Sequence, residues 1–260
     1  MGALWRAGGE AVGLISGTSD YSPGTVRVSF LVVRRNAQPV YAARARVFLA
    51  RSMAAHPFER TWAALEPVGG GNATRVFVAR LQIRRPGRYW LVAAPAGSRV
   101  RGLGTLDVHA SSASPALGSK AFPLRTPTIA STHGDFALLT TRVPPDRDLL
   151  RYSVADSLAA HKPFVLVFAT PKFCTSRTCG PVVDVVDSVR RRFRRSGIRF
   201  IHVEVYRNNN PTLGLNRFMR EWHLPTEPWV FLVSSDGRIR AKFEGPISVP
   251  ELAAAVRGLS

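Results

Sequence analysis

Residues 163–184 read PFVLVFATPKFCTSRTCGPVVD and contain both cysteines of the chain, Cys174 and Cys179. The apolar run Pro163–Ala169 predicts a central strand in a sheet that is covered on both faces. Apolar residues after the second cysteine recur at helical spacing, which predicts a helix over Gly180–Arg195. The cysteines therefore lie where the carboxyl end of a strand gives way to a helix, the place where active sites gather in α/β folds.

The rest of the second half completes an α/β order. Before the central strand, Ser153 and Asp156 are spaced like a capping box at the start of a short helix. Three further strands and two further helices are predicted after the cysteines, at Ile198–Val205, Leu213–Trp222, Trp229–Val233, Ile239–Phe243 and Pro250–Leu259. The resulting order β, α, β, α, β, β, α makes the first two strands parallel and joins the last two in a hairpin.

The stretch Phe168–Asp184 resembles the active-site segment of the thioredoxin superfamily. Trp222–Arg238 resembles the later stretch of that family, in which a cis-proline opens the fourth strand. The resemblance implies a thioredoxin-like α/β fold with Cys174 and Cys179 as a redox pair and Pro228 as the cis-proline that faces them. It implies thiol–disulfide exchange with a protein thiol or disulfide substrate and an unidentified redox partner, without a cofactor. It also implies an exported or cell-envelope setting.

The spacing of the cysteines departs from that family, because four residues separate Cys174 from Cys179 where thioredoxins have two. On a continuous helix the two positions would lie about 140° apart around the axis and about 7.5 Å apart along it. A disulfide needs Cα atoms within about 4.4–6.8 Å of each other, so a continuous helix would keep the cysteines too far apart. We therefore predict that Thr175–Thr178 form a turn, with Cys174 as the attacking and Cys179 as the resolving cysteine. The helix N-terminus, Lys172 and Arg177 are expected to stabilise the thiolate.

Two other functions stay open at this point. A Sco-like copper chaperone uses the same fold with two cysteines and a distant histidine, here His202 or His223, because soft thiolates with an imidazole suit copper. A non-catalytic binding protein on a thioredoxin fold would use neither thiol.

Three acidic residues near the cysteines receive no functional role from the sequence, and no residue is assigned to a metal. Glu227, next to the predicted cis-proline, is interpreted as a solvated surface acid. Asp184 and Asp187 are spaced like a solvated helix face.

The first half of the chain predicts strand after strand, at Thr25–Val33, Ala45–Leu49, Thr74–Ala79, Arg88–Ala93 and Gly104–Val108. The segment Pro86–Val92 resembles the penultimate strand of bacterial immunoglobulin-like modules. We therefore expect two domains: an N-terminal segment at 1–15 and an all-β immunoglobulin-like sandwich at 16–110, then a Pro/Ser-rich linker at 111–128 and the thioredoxin-like domain at 129–260.

The charge and the apolar content of the chain indicate which classes of partner it can have. The chain has 36 Lys and Arg against 17 Asp and Glu, a net charge of +19. Such a charge attracts nucleic acid, but no aromatic residues interleave with the basic ones and no zinc-finger spacing occurs, which disfavours nucleic-acid binding. No apolar run approaches the roughly 18 residues of a membrane span. The opening residues Met1–Arg6 lack a signal-peptide pattern, so the chain as given is expected to be soluble.

Overall fold

The computed structural model describes residues 1–69, 74–174 and 176–259, which form two compact units. The first unit comprises Met1–Pro67 and Thr74–Ser112, and the second holds the remainder of the described chain. The finer division, with a linker between two domains, stays a prediction. Among the described residues, no helix has the length and apolar character needed to cross a membrane.

The first unit is a short helix followed by seven strands. They are α1 Gly2–Arg6, β1 Glu10–Ser16, β2 Gly24–Val33, β3 Arg44–Ala50, β4 Glu59–Val68, β5 Thr74–Ile83, β6 Gly87–Pro95 and β7 Val100–Val108. The strands hydrogen-bond in the order β1-β2-β5-β4-β3-β6-β7, and the parallel pairing of β1 with β7 closes the sheet on itself. Its interior is an apolar core in which Phe30, Phe77 and Leu91 are at most 1% exposed.

The predicted immunoglobulin-like sandwich is not confirmed, because a sandwich has two separate sheets and these strands form one closed sheet. Two glycines of β7 leave room for side chains of β1 and β2 to lie close to the β7 backbone. A Cβ at Gly102 would lie 3.0 Å from Val32, and one at Gly104 would lie 3.0 Å from Leu14. Strands β1 and β4 were not predicted, because each buries only one or two side chains and so shows little apolar alternation.

The second unit is a four-stranded α/β sheet with its helices. The elements are α2 Val154–Ala159, β8 Phe164–Phe168, α3 Cys179–Arg192, β9 Arg199–Val203, α4 Arg217–Glu221, β10 Trp229–Val233, β11 Ile239–Glu244 and α5 Val249–Arg257. The strand order is β11-β10-β8-β9, with β8 and β9 parallel and β10 antiparallel to both β8 and β11. The predicted element order and strand directions are confirmed. Every residue of β8 is fully buried, as expected of a central strand.

Polar caps decide where the short helices begin. The Ser153 hydroxyl accepts a hydrogen bond of 3.0 Å from the N–H of the third residue of α2, which confirms the predicted cap. The helix predicted over Leu213–Trp222 is wrong in its first half. It begins at Arg217, because the Asn216 side chain accepts a hydrogen bond of 3.0 Å from the Met219 N–H and caps the helix there.

Part of the predicted linker packs on the core of the second unit. Ala121 is 6% exposed, and Phe122 and Leu124 pack against the same apolar cluster. The Ala121 N–H also donates to the carbonyl oxygen of Gly237, 2.9 Å away. Sparse apolar residues in a Pro- and Ser-rich segment are therefore enough to hold it against the domain that follows.

Candidate redox site at the start of helix α3

The two cysteines flank the turn that leads from β8 into α3. Cys174 is half-buried, whereas Cys179, the first residue of α3, is fully buried. Both thiols are free, and the two sulfur atoms lie within 4.8 Å of each other. A disulfide bond needs about 2.0 Å between them. The two sulfurs are therefore close to each other but not bonded.

Residues 176–178, between the cysteines, do not continue the helix. Arg177 has a φ of 58°, and its N–H donates to the carbonyl oxygen of Cys174, 3.2 Å away. The helix begins at Cys179, one residue earlier than predicted, after Thr178 in the N-cap position. The predicted turn is therefore confirmed over 176–178, while Thr175 lies outside the described residues.

Hydrogen bonds converge on the sulfur of Cys174. The backbone N–H of Cys179 donates to this sulfur at 3.3 Å, and the Ser176 hydroxyl lies 3.2 Å from it. The Ser176 and Thr178 hydroxyl oxygens are 2.7 Å apart, so the chain of polar groups extends one residue further. Hydrogen bonding from the Cys179 thiol, then from these groups, lowers the pKa of Cys174 to about 5, although burial opposes the change. Cys174 is therefore a thiolate at neutral pH.

Lys172 and Arg177 contribute less to the low pKa of Cys174 than the sequence predicts. Lys172 and Arg177 are both exposed, and the Lys172 Nζ lies 5.3 Å from the ring centre of Phe173. Neither is among the main causes of the low pKa of Cys174, which are hydrogen bonds. The helix N-terminus acts as predicted, through the backbone N–H of Cys179.

Cys179 has the opposite character. Its hydrogen bond to the Cys174 sulfur, followed by burial and by the charge of that sulfur, raises the pKa of the Cys179 thiol. The pair therefore holds one proton, which stays on the buried sulfur while the accessible sulfur is ionised. The pKa of the Tyr206 phenol is also raised, by burial and then by the charges of Glu227 and of both sulfurs.

Glu227, which the sequence predicts to be a solvated surface acid next to the cis-proline, lies beside the two cysteines. It is half-buried rather than solvated, and a carboxylate oxygen lies within 4.8 Å of both sulfurs. Burial raises the pKa of Glu227, and the charge of Cys174 raises it further. The Glu227–Pro228 peptide bond is cis, as predicted, and Pro228 is buried. The signal available in the sequence was an acid placed directly before the predicted cis-proline.

The two histidines of the copper alternative do not join the cysteines. His202 is 3% exposed, and its Nε2 lies 2.9 Å from the carbonyl oxygen of Ala169. His223 is exposed. In the part of the chain that the structure describes, the group that accompanies the two sulfurs is the Glu227 carboxylate. The structure therefore supplies a carboxylate where a copper chaperone of that kind has an imidazole.

A buried carboxylate holds the loop that leads to Cys174. Glu204 is 5% exposed, and its Oε1 accepts hydrogen bonds from the N–H and the hydroxyl of Thr141, at 2.6 and 2.9 Å. The Thr141 hydroxyl oxygen accepts in turn from the Lys172 N–H at 3.1 Å. The available sequence signal was a lone acid within the strand-like run Ile198–Val205.

The acids of α3 are paired with arginines. Asp187 is 4% exposed and forms ion pairs with Arg190 at 2.7 Å and Arg191 at 2.6 Å. Asp184 forms an ion pair with Arg142 at 2.9 Å. The interpretation as a solvated face is wrong for Asp187, because arginines three and four residues later reach back along the helix and replace the water.

Comparison with known proteins adds little to this geometry. No family model and no curated protein matches the chain. Among solved structures, it is similar to a thiol:disulfide interchange protein of the thioredoxin family from Chlorobium tepidum. The two sequences are 14% identical, and the match covers 54% of this chain and 99% of that chain with a TM-score of 0.30. A match at this level supports no conclusion about activity.

Proposed function

We propose that the chain catalyses thiol–disulfide exchange on protein substrates through Cys174 and Cys179. The observation that carries the proposal is the asymmetry of the pair. A half-buried sulfur that accepts hydrogen bonds lies within 4.8 Å of a fully buried sulfur at the start of a helix. The thiolate is the species that attacks a disulfide, and a second thiol within reach releases the product.

The reaction has two displacement steps. The Cys174 thiolate attacks one sulfur of a substrate disulfide, a mixed disulfide forms, and the other substrate sulfur leaves as a thiolate. Cys179 then releases its proton to solvent and attacks the Cys174 sulfur, so that the bond to the substrate breaks and the second substrate sulfur leaves as a thiolate. Two electrons pass from the protein to the substrate, and an unidentified redox partner restores the dithiol. Each step is reversible, so the same residues also pass a disulfide to a substrate.

Pro228 is proposed to border the groove that holds the substrate. The support is its place in the chain, since the carboxylate of the preceding residue, Glu227, lies within 4.8 Å of both sulfurs. Trp229, the next residue, is 2% exposed and stacks on Phe231, so it belongs to the core rather than to the groove.

The low pKa of Cys174 favours one direction. Stabilising the thiolate stabilises the reduced protein, which makes its disulfide a stronger oxidant. We therefore expect a reduction potential less negative than the about −270 mV of thioredoxin, in which the corresponding pKa is about 7.

Trapping of the mixed disulfide tests the proposal. In Cys179→Ser the second step is blocked, so the reduced variant is expected to accumulate a covalent adduct with oxidised insulin that mass spectrometry detects. Cys174→Ser keeps the buried thiol and is expected to form no adduct. Failure of Cys179→Ser to form an adduct would contradict the exchange reaction and leave a non-catalytic binding protein.

A further inference from the structure

The strongest unexplained feature of the second unit is the convergence of three acidic groups. The sulfurs of Cys174 and Cys179 and a carboxylate oxygen of Glu227 all lie within 4.8 Å of one another. Thiol–disulfide exchange uses the two sulfurs and leaves the carboxylate without a role. Its position therefore calls for a separate explanation.

These groups have no basic partner in the described residues. No Lys or Arg side chain there forms an ion pair with Glu227, and the nearby Lys172 and Arg177 side chains are exposed. Anionic groups that share a half-buried site repel one another unless a cation or a proton lies between them. In the metal-free protein the Cys179 proton lies between the two sulfurs, and a bound cation that displaces it neutralises both sulfurs and the carboxylate together.

The donor set and its spacing match zinc. Zinc thiolate pairs are typically separated by two to four residues, and four residues separate Cys174 from Cys179. Tetrahedral zinc with bonds of about 2.3 Å to sulfur and about 2.1 Å to oxygen holds these atoms about 3.6–3.8 Å apart. The observed separations, all below 4.8 Å, reach this range with small side-chain rotations.

The carboxylate decides between metals. Cu(I) takes soft thiolate or imidazole ligands, whereas a carboxylate oxygen is an ordinary zinc ligand. We propose that the reduced protein binds one Zn²⁺ ion through Cys174 Sγ, Cys179 Sγ and a carboxylate oxygen of Glu227, with solvent at the fourth position.

Binding and exchange exclude each other. Zinc binding forms three bonds to the metal and releases the proton of Cys179 to solvent, without a change in oxidation state. Formation of the Cys174–Cys179 disulfide passes two electrons to the oxidant, a substrate disulfide, and removes both thiolate ligands. The ion then leaves. This coupling rests on the proposed exchange reaction, whereas the zinc site does not.

An anaerobic titration of the reduced full-length chain with Zn²⁺ against a chromophoric chelator tests the site. The wild type is expected to bind one equivalent, and Cys174→Ser or Cys179→Ser to weaken binding by at least about 100-fold. Glu227→Gln keeps the size of the side chain and is expected to weaken binding about tenfold or more. Glu221→Gln, an exposed acid at the end of α4, is the matched control and is expected to bind like the wild type.

Two results would overturn the site. One is a wild type that binds zinc no more tightly than the Cys174→Ser/Cys179→Ser double variant. The other is a Glu227→Gln variant with wild-type affinity, which removes the carboxylate from the ligand set.

Exchange is measured separately, on metal-free protein in the presence of a chelator. Exchange activity without tight zinc binding refutes the zinc site alone. Tight zinc binding without exchange refutes the proposed function alone.

Discussion

Acidic groups lie at the start of helix α3 and again in its second half, and the two places differ in whether basic side chains pair with these groups. Near the end, the carboxylate of Asp187 is almost fully buried and forms ion pairs with Arg190 and Arg191. At the start, the Cys174 sulfur and the Glu227 carboxylate lie within 4.8 Å of each other, and in the described part of the chain no arginine or lysine forms an ion pair with that carboxylate. Paired charge fixes structure, whereas charge left without a basic partner is available for reaction.

The largest effect expected from this comparison is on catalysis at the start of the helix. Cys174→Ser removes the attacking thiolate and is expected to lower insulin-disulfide reduction to the uncatalysed rate, with an unchanged circular dichroism spectrum. Asp187→Asn, at the other end, is expected to keep the activity of the protein that remains folded. Equal losses in the two variants would contradict the functional difference between the ends.

The second effect is on stability at the far end. Asp187→Asn removes a nearly buried carboxylate from Arg190, which keeps its ion pair with Asp148, and from the exposed Arg191, so we expect a loss of about 2 kcal/mol in the free energy of unfolding. Asp184→Asn is the comparison variant, since that carboxylate is 48% exposed and its pair with Arg142 is worth less than about 1 kcal/mol. Urea denaturation measures both. Similar losses in the two variants would show that burial of Asp187 does not matter.

The third effect is the pH dependence of the thiolate. Because the pKa of Cys174 is lowered to about 5, its alkylation by iodoacetamide should rise with pH up to about pH 6 and then level off. Stability of the reduced fold is expected to rise with pH as well. The thiolate stabilises the reduced fold fully above the pKa of an unfolded thiol, about 8.5, and this contribution is lost as the pH falls toward 5. An alkylation rate that still rises between pH 7 and 9 would show an ordinary thiol.

The smallest effect comes from one hydroxyl. Ser176→Ala removes one of several hydrogen bonds to the Cys174 sulfur, and a bond to a charged group is worth about 1.5 kcal/mol. The midpoint of the alkylation profile is therefore expected to move up by about one pH unit. Ser196→Ala is the control, because that hydroxyl donates to the carbonyl oxygen of Phe193 instead. A midpoint that does not move would remove Ser176 from the site.

The sequence predicted the α/β unit well because its signals are local. The apolar run Pro163–Ala169 fits only a covered central strand, and the proline after Cys179 predicts a helix start within one residue of the observed one. The closed sheet of the first unit was not predictable in this way. It depends on the pairing of β1 with β7, far apart in sequence, and on the small size of Gly102 and Gly104.

The sequence singles out Cys174 and Cys179 as the candidate pair and assigns no role to the carboxylates near them. Cys174 and Cys179 stand out as the two cysteines of the chain. The sequence places Glu227 beside the predicted cis-proline as a solvated acid, and only the folded chain shows that it is half-buried within 4.8 Å of both sulfurs. Asp187 looks solvated because periodicity along a helix does not show which face another element covers, although its arginine partners lie only three and four residues later.

A redox titration with thiol trapping tests whether Cys174 and Cys179 form a reversible redox pair. The protein is equilibrated with glutathione buffers of increasing oxidised fraction, the free thiols are alkylated, and the Cys174/Cys179 peptides are weighed by mass spectrometry. The account predicts a reversible two-electron change from two labels to none, with a midpoint less negative than about −270 mV. If both cysteines are labelled in every glutathione buffer, from the most reducing to the most oxidising, no disulfide forms and the redox pair is contradicted.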